Sequence, residues 1–375
     1  MVSSTRRAAP VASEKPPALV AADLPWLAAP LAQTLATQRS HALLVYGQSG
    51  VGQFEMALAL AQAWLCETSA AERVDGLACG HCRSCHLVDE RSHPDLRLVV
   101  PEALRAQIGL EVDDGAADDD GKKRKPSREI KVEQIRSAID FSELTAGRAK
   151  LKVMVVHPAE ALNAIAANAL LKTLEEPPGA LRFVLSSAAP QALLPTIRSR
   201  CQAVSLRPPP AEQALEWLQA QGVVQAEALL AACGQQPLAA LAHHQAGLDG
   251  AVWQELPARV ATGDASVFAN WPLPQVVDAL QKLCHDRLLA TFSLPARYFP
   301  GAPVAAGDLA RLTAWGAALR QHARQAEHPW NAGLAIEALL VEARAIDFTP
   351  DAGHVKGKAR GPGAERAGAP IHSRS

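Results

Sequence analysis

Short apolar runs recur along the first two hundred residues: HALLVY (41–46), DLRLVV (95–100), LKVMVV (151–156), RFVLSS (182–187) and AVSL (203–206). Most are rich in Leu and Val, as strands buried on both faces are. Between them lie segments with helical periodicity at Gln53–Cys66, Val132–Leu144 and Ala161–Glu175. In the last, Ile165, Leu170 and Leu174 form an apolar stripe from Asn163 to Glu175, and PPG ends it. This alternation predicts a doubly wound parallel α/β sheet over residues 23–206. RPPP (207–210) marks the next boundary. AEQALEWLQAQ and AEALLAAC then predict a small helical domain over 207–247. VVDALQKLCHDRLLATF, DLARLTAWGAALRQHARQ and NAGLAIEALLVEARAI predict a bundle of longer helices over 248–348.

Three stretches fall outside this pattern. Residues 1–22 carry charges and paired prolines and read as a disordered leader, not a signal peptide. EVDDGAADDDGKKRKPSR (111–128) is acidic, then basic, with no apolar face, and predicts a solvated insert. Residues 349–375 are rich in Gly, Ala and basic residues and read as a disordered tail.

Composition narrows the possibilities. The chain is 49% hydrophobic but only 4% aromatic, so its apolar weight is Ala and Leu, which favour helices. A net charge of −1 gives the whole molecule no strong attraction to nucleic acid, so any such contact is local. No run of about 18 apolar residues suits a membrane-spanning helix. Seven cysteines, four of them clustered, point to the reducing cytoplasm and a metal site, not a disulfide framework.

That cluster is CETSAAERVDGLACGHCRSC: Cys66, Cys79, Cys82 and Cys85. Two-residue gaps let neighbouring thiolates turn toward one ion, and Cys66 supplies a fourth. Four thiolates fill a tetrahedral Zn²⁺ shell and leave no position for water, so the zinc is structural. His81 and His86 flank the set as spare donors; an iron–sulfur cluster is the other chemistry open to four thiols.

A second motif is GQSGVGQF (47–54), between the first strand and a helix, where a phosphate loop belongs. Gly47, Gly50 and Gly52 keep the loop shape. A working loop has Lys and then Ser or Thr at positions 53 and 54, to reach the phosphates and hold Mg²⁺. This chain has Gln53 and Phe54. Where an Asp-Glu pair would hold metal, the LKVMVV strand ends in His157 and Pro158 of HPAE. Two separate sites lack their catalytic side chains, so no functional ATP/Mg²⁺ site is expected, though the glycines leave passive nucleotide binding open. Farther on, IRSRC places Arg198 and Arg200 around Ser199, just before the last strand. Spacing alone leaves two roles for such an arginine: a solvated strand entrance, or a finger reaching a neighbour's γ-phosphate.

NALLKTLEEPP followed by TIRSRC, after a four-cysteine insert between the loop helix and the next strand, resembles the AAA+ clamp-loader subunits of bacterial DNA polymerase III. The degenerate loop and missing acidic pair resemble the delta prime subunits more than the gamma/tau motors. PWL (25–27), HALL before the loop and HPDL after the cysteines support this. The resemblance spans roughly residues 24–345. It implies an AAA+ module, a helical lid and a helical collar. It further implies a stator without intrinsic ATPase, a non-catalytic subunit of a DNA-directed DNA polymerase holoenzyme. Its partners would be the gamma/tau motors and the delta subunit in a five-subunit ring, with the sliding clamp and primed DNA. Ser199-Arg200-Cys201 matches the family's SRC motif, which makes Arg200 a finger acting in trans. The lid arginine of active members falls near GQQPLA, where this chain has Pro237. An active motor ATPase and a zinc-dependent nucleic-acid-binding module are the competing readings.

Overall fold

The structure is a computed structural model that describes residues 20–110, 126–326 and 331–346. Most of the leader, residues 111–125 of the insert and the tail lie outside the described residues. Contacts divide the chain into two units. One is residues up to Gln254 with Arg297–Pro300; the other is Glu255–Ala296 with residues from Gly301 onward.

Five strands build the sheet of the first unit: β1 (Ala42–Gly47), β2 (Leu96–Val99), β3 (Lys152–Val156), β4 (Leu181–Ser187) and β5 (Gln202–Leu206). Their order is β2-β3-β4-β1-β5, and every pairing is parallel. Each lies within one or two residues of an apolar run in the sequence. β3 is buried throughout, which is why LKVMVV carries no alternation. One core packs Met154, Val156, Phe183 and Leu185 of the sheet against Ile135, Leu170 and Leu174 of the helices.

The helix after β3 runs over Ala164–Glu175, and Asn163 caps it by accepting the Ala166 N–H at 2.8 Å. Its buried face differs from the expected stripe. Ile165 is 65% exposed; Ala166, Ala167, Leu170, Thr173 and Leu174 face the sheet. Ile165 lies on the opposite side with exposed Asn168 and Lys172, so the face that packs, with Leu170 and Leu174 of the expected stripe, is still the more apolar one.

Three helices, Ala211–Ala220, Ala226–Ala232 and Pro237–Gln245, complete the sequence order of this unit before Gly250–Thr262, which crosses into the second. In the second unit, Leu273–Thr291, Leu309–Gln325 and Ala332–Ala345 bury Leu280, Leu283, Leu312, Leu319, Leu339 and Leu340. Among the described residues, no helix is long and apolar enough to cross a membrane.

Candidate functional site

β1 delivers the chain to the loop at Gly47, and the helix Gln53–Leu65 begins on its far side. Gly50 and Gly52 take left-handed backbone angles, φ 73° and 101°. The loop thus has the shape that would turn backbone N–H groups toward a phosphate. Its side chains do something else. Gln53 is buried, and its amide donates to the carbonyls of Gly47 (2.9 Å) and Gln48 (2.7 Å). A lysine would send a charge outward; this amide stitches the loop to itself. Phe54 packs on the His157 ring, centroids 4.7 Å apart. His157 hydrogen-bonds the Ser186 hydroxyl at 2.8 Å through Nδ1. Burial pulls its pKa down to about 4 against the upward pull of Glu160, so the ring is neutral at pH 7. Glu160, the one carboxylate of HPAE, accepts the backbone N–H of Ala188 at 2.9 Å.

Both flanks of the loop are braced. On one side, Trp26 of PWL donates its indole N–H to the Val51 carbonyl at 2.8 Å. Its ring meets Trp217 edge-on at 5.2 Å, and Trp217 donates to the Asp23 carbonyl at 2.6 Å. On the other side, the Leu238 N–H donates to the Gly50 carbonyl at 3.2 Å, and the Gln48 amide reaches the Gly234 carbonyl at 3.4 Å. Pro237 is buried at the start of its helix. The sequence reading missed Gln53's closure and Trp26's brace. PWL was the available signal for the second; nothing local signalled the first.

The four clustered cysteines come together as expected. The Sγ atoms of Cys66, Cys79, Cys82 and Cys85 all lie within 4.8 Å of one another. Individual pairs are 3.4 Å (Cys82–Cys85), 3.9 Å (Cys79–Cys85) and 4.0 Å (Cys66–Cys82) apart. A zinc tetrahedron with bonds of about 2.3 Å has sulfur edges of about 3.8 Å, so the donor set fits the ion. Backbone N–H groups of Cys79, Cys82 and Cys85 lie 3.4–3.5 Å from the sulfurs of Cys66, Cys79 and Cys82, suited to thiolates. A hydrogen bond from Thr68 leads the causes that lower the Cys79 pKa to about 5. His81 is exposed, with Nδ1 on the Cys79 carbonyl, and His86 is exposed. Four sulfurs close the shell without either. The module is tied down by Ser84, whose hydroxyl donates to Glu67 (2.9 Å) and contacts His93 (3.1 Å), and by Arg148, which pairs with Glu67 at 2.6 Å. Asp95 of HPDL accepts the backbone N–H groups of Gly147, Arg148 and Ala149 at 2.6, 2.8 and 2.7 Å.

Ser199, Arg200 and Cys201 lead into β5, the edge strand beside β1. Gln202 is in register with Leu43, and Leu206 with Gly47. Those rows are separated by about 13 Å along the strands. Arg200 therefore sits at the end of the sheet opposite its own loop. Its Nη1 donates to the Thr196 carbonyl at 2.9 Å, and its Nη2 pairs with Glu175; a third of the side chain is exposed. Ser199 donates to the Thr196 carbonyl at 3.1 Å, and burial pushes the Cys201 thiol up to about 12.

A parallel five-stranded sheet with a phosphate loop on β1, helical segments after β5 and an arginine at the far strand entrance define an AAA+ module of the clamp-loader kind. A family model described as "DNA polymerase III, delta subunit" matches residues 27–210. The chain is 30% identical over 280 residues to DNA polymerase III subunit delta' of Escherichia coli, covering 69% of this chain and 76% of that one. It is 37% identical over 215 residues to the delta' subunit of Pseudomonas aeruginosa, covering 56% and 58%. The match thus spans little more than half the length of the Pseudomonas relative. A solved DNA polymerase III gamma subunit-related protein from Thermotoga maritima aligns over 85% of this chain and 98% of its own, with 17% identity and a TM-score of 0.43. The chain belongs to the delta prime family of DNA polymerase III subunits.

Proposed function

We propose that this chain is the catalytically silent stator of a clamp loader. It would help place a sliding clamp on primed DNA in the cytoplasm, and lend Arg200 to the nucleotide of an adjoining gamma/tau motor. In this reading it joins the motors and a delta subunit in a five-subunit ring, with the helices of residues 207–247 as lid and those of 248–348 as collar. The four thiolates hold one structural Zn²⁺, which fastens the segment between the loop helix and β2.

The observation that carries the reading is the division of labour between the two ends of the sheet. At the loop end, Gln53 bonds the loop's own carbonyls, and Phe54 with His157 fills the place where metal and its carboxylates would sit. None of Gln53, Phe54, His157 and Pro158 offers an ammonium to phosphate or a carboxylate to Mg²⁺. At the other end, the Arg200 guanidinium, a third exposed and paired with Glu175, lies beyond reach of its own loop, so a nucleotide phosphate it reaches would belong to another chain. An arginine finger acts by stabilising charge that develops on the transferring phosphoryl group, and its loss costs about 10³–10⁵ at the site it serves.

The pure chain should show no phosphate release from ATP in millimolar Mg²⁺. Mixed with motor and delta subunits, it should support clamp-dependent ATPase. Arg200→Ala should then lower that turnover while the complex still assembles. Unchanged turnover overturns the finger; steady hydrolysis by the pure chain overturns the silent stator.

A further inference from the structure

We propose that Glu175 is a positioning residue for Arg200, holding the guanidinium at the subunit edge in the orientation a neighbour's phosphate requires. This rests on Arg200 acting in trans.

The placement follows from topology. β3 and β4 are parallel, so the Ala164–Glu175 helix between them must run back along the sheet. It starts beside HPAE at the loop end and finishes at the end where β5 begins. Glu175, its last residue, therefore arrives next to Arg200, although 25 positions separate them in sequence. Both backbones are held. The preceding Leu174 is buried, and its carbonyl is hydrogen-bonded to His41 Nε2 at 2.8 Å. The Arg200 N–H donates to the carbonyl of Ile197, which is fully buried.

The guanidinium is thus gripped at two points by its own subunit, Nη2 on Glu175 and Nη1 on the Thr196 carbonyl, with Ser199 Oγ 3.4 Å from Nη1. A guanidinium has five N–H donors. Three contacts leave two donors for an incoming anion, in a fork whose plane is already set. Holding a long side chain in its working rotamer removes ordering that would otherwise occur during phosphoryl transfer. A rigid subunit that turns over no nucleotide of its own suits this task, because nothing at its loop moves the helix that carries Glu175.

The pair is partly exposed, Arg200 by a third and Glu175 by nearly half, so the effect is modest: up to about fivefold, the range of surface ion pairs. The test uses the full complex with motor and delta subunits, clamp and primed DNA. Glu175→Gln should lower kcat two- to fivefold, with KM for ATP and assembly on gel filtration unchanged. Glu175→Asp, which keeps the charge, should recover part of the loss. In an Arg200→Ala background, Glu175→Gln should change nothing further. A kcat that stays the same or rises overturns the proposal, as does an equal loss in the Arg200→Ala background or a failure to assemble. If Arg200→Ala itself leaves turnover unchanged, the finger falls and its positioning residue with it. If Arg200→Ala lowers turnover and Glu175→Gln does not, only the positioning role falls.

Discussion

His157 follows the end of β3, and its burial has a measurable cost in acid. The ring packs on Phe54 at 4.7 Å and bonds Ser186 at 2.8 Å, and desolvation lowers its pKa from 6.5 to about 4. A depressed histidine pKa means that the unfolded chain binds the proton more readily. The neutral ring's contribution is therefore fully present above pH 6.5 and is lost as pH falls toward 4. The difference in pKa amounts to about 3 kcal/mol when complete. Between pH 7 and pH 5 the linkage relation gives a loss of about 1.8 kcal/mol. His157→Gln keeps a polar partner for Ser186 and cannot titrate in this range. Urea melts of both proteins at the two pH values measure the difference. Wild type should lose about 1.8 kcal/mol more than the variant on going to pH 5. Identical losses would refute the assignment of a buried, neutral imidazole at this position.

Two other sites give independent checks. Burial raises the pKa of Asp95, but the three backbone donors outweigh it and hold the carboxyl below its ordinary value. Its stabilisation is therefore present above the normal carboxylate pKa and is lost as pH falls through the lower folded value. Asp95→Asn replaces charge-assisted bonds and turns an N–H toward donors; a loss of about 3 kcal/mol in a denaturant melt is expected, and less than about 0.5 would contradict the geometry. For the cysteine cluster, elemental analysis should find about one zinc per chain, falling well below that in Cys82→Ser, with lower thermal stability. A wild-type protein that is fully folded without metal would exclude the site.

What could be read from the sequence divides by range. The strands show because each is a local apolar run, most plainly β3, which is buried throughout, and the four-thiol cluster shows because Cys79, Cys82 and Cys85 are spaced to share an ion. The missing chemistry at Gln53, Phe54, His157 and Pro158 shows because phosphate loops demand particular residue types at particular positions. Leu170 and Leu174 of the stripe are buried as expected, but Ile165 is turned about 140° around the helix from Leu170 and lies with the exposed Asn168 and Lys172. The contact between Glu175 and Arg200 was not legible. It depends on the sheet order, which brings a helix end and an edge-strand entrance together. Gln53's bonds to Gly47 and Gln48 were hidden for another reason: a glutamine in place of lysine announces a loss and says nothing of what the amide then does.

The surviving glycines follow from the same contacts. Taken as sequence, Gly47, Gly50 and Gly52 suggest a loop still kept for nucleotide. In the structure Gly47 has no room for a side chain, and at Gly50 and Gly52 one would be crowded as well as strained by the positive φ. A Cβ on Gly47 would lie 2.4 Å from the Leu206 carbonyl oxygen, inside the β1–β5 pairing. At Gly52, φ is 101° and a Cβ would come within 3.0–3.1 Å of Leu24 and Leu27, the residues around Trp26. At Gly50 it would meet Gln236 at 3.1 Å, beside the Leu238 N–H that bonds the Gly50 carbonyl. The fold alone requires these residues: one for an edge-strand contact, one for the PWL brace and one for the closure of residues 234–239. Retained glycines are then no sign of retained nucleotide binding. A lysine at 53 and a hydroxyl at 54 would serve only a ligand, so nothing in the packing requires them. That explains why the shape of the loop persists without its chemistry.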